Sequence, residues 1–185
     1  MVHRIKVDYE FGFVITTCQT DDLFVCDIKS NHLLWAHPLV RPSTSIAFSA
    51  PLSQADMIHL QSHVALYIHV EYDRGYILFT RWDDDREVWR RAVDAASDPH
   101  SEMSPPDKKM LDVSMQAAAG FDSVASRRGY FKAWALLRFP ESCRWPRLSY
   151  PNIVTVETSN ACVWNITRSQ LMAVIQDVQR QLRAN

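Results

Sequence analysis

Apolar and polar residues alternate with a period of two at the start of this chain. Val7, Tyr9 and Phe11 alternate with Asp8 and Glu10, the pattern of a strand with one face covered and one wet. After Gly12, the run Phe13 to Thr17 is rich in β-branched and aromatic residues, which suit a pleated, half-buried surface. Thr20-Asp21-Asp22 supplies a polar turn, Leu23 to Ile28 reads as a third strand, and Lys29-Ser30-Asn31 turns the chain into His32 to Trp35. Four short segments joined by tight turns predict an antiparallel meander.

The pattern recurs twice. Leu66 to Tyr72, Tyr76 to Thr80 and Glu87 to Arg90 are separated by Asp73-Arg74-Gly75 and by the acidic turn Asp83-Asp84-Asp85. Near the end, Arg147 to Tyr150, Ile153 to Thr158 and Ala161 to Asn165 follow in the same order. Tyr9, Tyr72 and Tyr150 stand just before a turn, and Gly12, Gly75 and Asn152 inside it. A third strand then ends Val25-Cys26-Asp27, Val88-Trp89-Arg90 or Val163-Trp164-Asn165, at spacings of 15, 15 and 13 residues from the turn residue. Such a repeat is the mark of stacked units that cannot bury their faces alone.

The expected fold is therefore mainly β, a partial or small β-propeller of antiparallel four-stranded blades with a helical insertion. The 185 residues divide into a blade over 1–37, an irregular connection over 38–62, a blade over 63–94, a helical insertion over 95–128 and a last blade over 129–185. Within the insertion, Pro105-Pro106 precedes a helical run from Lys108 to Ala119, with Gly120 just past its end and Leu111, Met115 and Ala118 on one face. Ser169 to Leu182 carries helical periodicity, so a C-terminal helix competes there with the fourth strand of the last blade. The Trp or Asp near the end of each third strand sits where blades contact one another.

Composition narrows the partners. The formal net charge is −1, which offers no general attraction for nucleic acid or an acidic membrane. Cys18, Cys26, Cys143 and Cys162 have no C-x-x-C spacing and read as buried free thiols in a reducing compartment. The N-terminus lacks a signal-peptide hydrophobic region, and no apolar run approaches the ~20 residues of a spanning helix. A cytoplasmic or nuclear location is expected. Asn165-Ile166-Thr167 matches a glycosylation sequon that such a location would leave unused.

The segments Val70 to Phe79, Arg86 to Arg90 and Ala133 to Glu141 resemble the propeller region of fungal F-box proteins, and Thr20 to Val25 with Leu33-Leu34-Trp35 is similar to the blade before them. The resemblance covers most of the chain and rests on structural motifs. It implies a propeller that selects the substrate of a ubiquitin ligase. The F-box module that recruits the ligase has no counterpart here. Three recognisable blades do not close a ring of roughly 4 to 8: either the chain is a fragment, or the intervening regions supply degenerate blades, or a second chain completes the ring. The open edges and apolar faces of a part-ring favour a protein partner or self-association.

Catalytic signatures are absent. No G-x-S-x-G, H-E-x-x-H, Walker or G-x-G-x-x-G pattern occurs. His59, His63 and His69 lack a completing ligand, and Asp83-Asp84-Asp85 lacks the glycine and terminal glutamate of a calcium loop. No cofactor or metal is expected, and the chain reads as a non-catalytic interaction module. The alternatives are a propeller-fold enzyme using Glu10, Asp73 and Glu157, or a nucleic-acid-binding subunit acting through its arginine–tryptophan region. That region supplies the candidate partner-binding residues. They are Trp82, Arg86, Trp89 and Arg90 in the second repeat, then Arg127, Arg128, Trp134, Arg138 and Trp145.

Overall fold

The alternating stretches among the described residues form strands, and neighbouring strands within each sheet pair antiparallel. The computed structural model describes residues 2–18, 23–37, 69–80, 85–95, 104–120, 128–138, 144–156 and 160–178. Sheet 1 holds β1 (Val2–Asp8), β2 (Phe13–Cys18), β3 (Leu23–Asp27) and β4 (Leu33–His37). Sheet 2 holds β5 (Val70–Asp73), β6 (Tyr76–Thr80), β7 (Arg86–Arg91) and β8 (Phe131–Leu137). Sheet 3 holds β9 (Arg144–Ser149), β10 (Asn152–Val156), β11 (Ala161–Asn165) and β12 (Gln170–Ile175). In all three the spatial order of strands is the chain order.

The repeat is visible in the pairing. The first residue of each second strand faces the last residue of each triplet, as Phe13–Asp27, Tyr76–Arg90 and Asn152–Asn165. The three triplets seen in the sequence are thus equivalent in space. Register slips between the third and fourth strands after Val25, Val88 and Val163. The extra residue is Leu34, Trp134 or Met172, a bulge at the same place in each sheet. Asp27 Oδ1 accepts the backbone N–H of Lys29 and Ser30, both at 2.8 Å, and the equivalent Asn165 Oδ1 accepts that of Arg168 at 3.0 Å. These side chains pin the turn that follows.

The tyrosines are not equivalent. Tyr72 pairs with Ile77 inside β5, whereas Tyr9 and Tyr150 lie in turns. Gly12 and Gly75 immediately precede their second strands at φ +68° and +79°. Pro151 holds that place in sheet 3, one residue before Asn152.

Two cores join the sheets. Phe13, Ile15, Val25 and Trp35 of sheet 1 pack with Ile77, Phe79, Trp89 and Phe131 of sheet 2. Tyr76, Leu78, Val88 and Trp134 of sheet 2 pack with Leu148, Ile153, Cys162 and Trp164 of sheet 3. The first strands converge, β1 beside β5 and β5 beside β9. Sheets that fan from a shared inner edge are propeller blades, and three of them make a partial propeller.

Two boundaries differ from the sequence expectation. Residues 131–137, expected in the last blade, form the outer strand of sheet 2, because β8 pairs with β7 across the insertion. Residues 170–175 are strand, since pairing with β11 overrides their helical periodicity. Of the 38–62 connection nothing lies within the described residues.

The insertion contains α1 (Ala92–Ala95) and α2 (Lys108–Gly120). Asp107 Oδ1 caps α2 by accepting the Met110 N–H at 2.9 Å. The buried face of α2 is Met110, Val113 and Ala117, in the first core, while Leu111 and Met115 are 46% and 63% exposed. The face singled out in the sequence, with Ala118, is therefore the solvent face. Arg128 pairs with Asp27, and Phe131 enters the first core with its ring 6.0 Å from Phe13 and 5.5 Å from Trp35. An insertion within sheet 2 thus covers part of sheet 1.

Candidate protein-interaction surfaces

Alternate side chains of a strand point to opposite faces, and the shared register lets each face be compared across the sheets. On the front face, sheet 1 presents Ile5, Val7, Val14, Thr16, Phe24 and Cys26. Sheet 2 has Val70, Tyr72, Ile77, Phe79, Glu87 and Trp89 at those positions, and sheet 3 has Pro146, Leu148, Ile153, Thr155, Cys162 and Trp164. The sheet 2 and sheet 3 sets are buried apart from the half-buried Tyr72. In sheet 1, Ile5 is 59% and Val7 38% exposed, and the other four are half-exposed.

The back face mirrors this. Phe13, Ile15, Thr17, Leu23, Val25 and Asp27 of sheet 1 are buried, as are their sheet 2 counterparts Tyr76, Leu78, Arg86, Val88 and Arg90. In sheet 3 the same positions hold Asn152, Val154, Val156, Ala161, Val163 and Asn165; Ala161 is buried and the other five are not, with Val154 37% and Val156 48% exposed. Sheet 2 is covered on both faces. The array ends on two open, largely apolar faces, one at sheet 1 and one at sheet 3.

At the inner edge, the equivalent positions Lys6, Glu71 and Arg147 carry charge. Glu71 is 5% exposed and gathers Lys6 Nζ at 2.8 Å, His69 Nε2 at 2.9 Å and Arg147 Nη1 at 3.2 Å. Burial pushes its pKa upward, but hydrogen bonds from His69 and Lys6 and the Lys6 charge outweigh it and hold the carboxyl at about 2. One buried carboxylate therefore ties the first strands of all three blades together.

Polar groups also cross the joint between sheets 1 and 2. The Tyr72 hydroxyl donates to Asp8, and Arg91 reaches the same carboxylate at 3.3 Å while stacking 3.3 Å over the Phe11 ring. Burial first, then the Asp8 hydrogen bond and charge, pushes the Tyr72 phenol far above its ordinary range. His37 Nε2 lies 3.2 Å from Glu87 Oε2, off the line of a hydrogen bond, and both side chains are 1% exposed. Phe79 and Trp89 enclose His37, their rings at 4.8 and 4.7 Å. This pair is a blade-to-blade contact sealed from solvent.

The arginine–tryptophan candidates do not form one surface. Arg86, Trp89, Arg90 and Trp134 are 2%, 0%, 7% and 4% exposed, so in this fold a partner does not reach them. Arg90 shows why: it stacks 4.1 Å over Tyr76, donates to Arg74 O at 2.7 Å and lies 3.3 Å from Asp94. Arg128 is 45% exposed and paired with Asp27. Arg138 is 77% exposed, 3.9 Å from Asp85, and with Ser104, Pro105, Leu136 and Trp164 lines an open hollow of about 290 Å³. Trp82, Arg127 and the Trp145 side chain lie outside the described residues, as do His59, His63, Asp83, Asp84 and Glu157.

Of the carboxylates proposed for an enzyme, Asp73 accepts the Tyr150 N–H at 2.7 Å and Glu10 is exposed. Among the described residues no group of three His, Cys, Asp or Glu is placed to hold a metal, and no helix is long and apolar enough to cross a membrane. Sequence reasoning missed the two end faces, although the valines of β10 and the Ile5/Val7 alternation were in plain view.

No family model and no curated protein matches the sequence. Among solved structures, the chain is similar to the computationally designed protein Ika8, at 11% identity and TM-score 0.48, over 94% of this chain and 36% of that one. It is also similar to the AfRom2 CNH domain, at 14% identity and TM-score 0.36, over 95% of this chain and 40% of that one. In both cases the chain spans well under half the length of the structure it matches.

Proposed function

We propose that the chain is a non-catalytic protein-interaction module that docks protein against the two ends of its three-blade array. The supporting observation is the face comparison: positions covered in the neighbouring blades are open at both ends yet remain apolar. Fully burying one such side chain contributes about 1.5–3 kcal/mol, and the partly open Val154, Val156 and Val163 on one face and Ile5, Val7, Val14 and Phe24 on the other each contribute a fraction of that. The narrower reading, substrate recognition within an F-box-type ubiquitin ligase adaptor, rests on the sequence resemblance alone. It is tested by whether cullin-ligase components co-purify with the chain.

The general reading is tested by placing a charge on each end face, as Val7→Glu and Val154→Lys in the full chain. Circular dichroism is expected to show an intact fold, while association, with itself or with proteins of a cell extract, falls by at least tenfold. Association undiminished with both faces charged overturns the proposal.

A further inference from the structure

We infer that the occupant of the two end faces is a second copy of this chain, and that two copies close one ring of blades. This rests on the interaction reading of those faces. The chain itself shows what covers a front face: the back face of the preceding blade. Ile15 of sheet 1 shares a core with Ile77 of sheet 2, and Leu78 of sheet 2 shares a core with Ile153 of sheet 3. The next pair in that series is Val154, on the open back of sheet 3, with the position of Val14, on the open front of sheet 1. That match of apolar β-branched residues is met by the front face of another copy.

A two-fold axis satisfies both ends at once. The back of sheet 3 in each copy covers the front of sheet 1 in the other, giving two identical contacts and leaving no open blade. The three sheets formed by the described residues of each copy make a ring of six, within the roughly 4 to 8 blades that propellers use. A single docked protein of another kind has to offer both a front-type and a back-type sheet face to do the same.

The experiment is light scattering on the purified full chain, alone and as variants. The wild type is expected at twice 21.3 kDa, independent of concentration above the micromolar range. Val7→Glu and Val154→Lys are each expected at the monomer mass. Mixed in equal amounts they are expected to recover the dimer, because that pairing contains one unaltered contact and one opposite-charge contact. Should either charged variant fail to fold, Val7→Ser and Val154→Ser replace them, with dimerisation weakened at least tenfold.

A wild-type monomer at tens of micromolar overturns the second-copy inference. The interaction reading then stands or falls on whether a different protein binds in a manner sensitive to the same substitutions. A mass that keeps rising with concentration, or failure of the mixture to recover the dimer, overturns closure by two copies.

Discussion

Lys6 Nζ lies 2.8 Å from Glu71 Oε2, linking the innermost strands of the first two blades. Arg147 lies on the other carboxylate oxygen, so Glu71 stands between two inner-edge cations. Replacing it with glutamine removes the countercharge of both cations. A cost of about 2 kcal/mol is expected, below that of a fully buried pair because Lys6 and Arg147 remain in contact with water.

The same carboxylate sets a pH dependence. Its folded pKa of about 2 lies below the ordinary 4.5, so its contribution is fully present above pH 4.5 and is lost as pH falls toward 2. The shift corresponds to on the order of 3 kcal/mol. Urea melts from pH 6 down to pH 2 are expected to show a steeper loss of stability in the wild type than in Glu71→Gln. Parallel profiles count against this role.

The joint between sheets 1 and 2 depends on Trp89, whose ring lies 5.3 Å from Trp35 and whose Nε1–H donates to Glu87 at 2.9 Å. Trp89→Ala is expected to cost about 3–5 kcal/mol through the cavity it leaves. Trp89→Phe retains most of the packing and loses the hydrogen bond, for about 1–2 kcal/mol. Chemical denaturation of the two variants separates the contributions. Equal costs would mean that the hydrogen bond, not the volume, governs this joint.

Gly75 and Gly12 share a place in the repeat and a left-handed backbone, but not the same surroundings. A Cβ on Gly12 meets nothing nearer than Arg128 Nη1 at 3.7 Å, whereas one on Gly75 falls 2.5 Å from Asp94 Oδ2 and 2.6 Å from Arg90 Nη1. Gly12→Ala is expected to cost about 1–2 kcal/mol from backbone strain alone. Gly75→Ala adds displacement of the Arg90–Asp94 ion pair and is expected to lower the melting temperature by clearly more. Equal shifts in Tm would show that this ion pair carries no stability.

The blades were legible because their strands alternate and their turns carry Gly, Asp and Asn, signals that act over a few residues. The triplets ending in Asp27, Arg90 and Asn165 aligned correctly for the same reason. The assignment of residues 131–137 to sheet 2 was not legible, since pairing across the insertion is a long-range event with no local mark. Gln170 to Ile175 carried a period compatible with a helix, and only the neighbouring strand decided against it. Four of the interface candidates, Arg86, Trp89, Arg90 and Trp134, are buried. Arginine next to tryptophan suggests an exposed patch, but here Arg86 and Arg90 are enclosed with the rings, and the open surfaces are made of valine and isoleucine.

Cys26 offers a chemical reading of the end face. It occupies the position held by Trp89 and Trp164, both covered by a neighbouring blade, yet it is half-exposed and unpaired. Partial burial raises its thiol pKa above the ordinary 9.0, so little thiolate is present at neutral pH and alkylation there is slow. Covering the front face of sheet 1 slows it further. Iodoacetamide labelling at pH 8.5, read by peptide mass spectrometry, is expected to modify Cys26 at least tenfold faster in Val154→Lys than in the wild type. That substitution lies on the far end of the array and acts on Cys26 only through a covering copy. The buried Cys162 serves as the internal reference, its rate unchanged between the two. Equal Cys26 rates would show that nothing from the sheet 3 face of another copy covers the front of sheet 1.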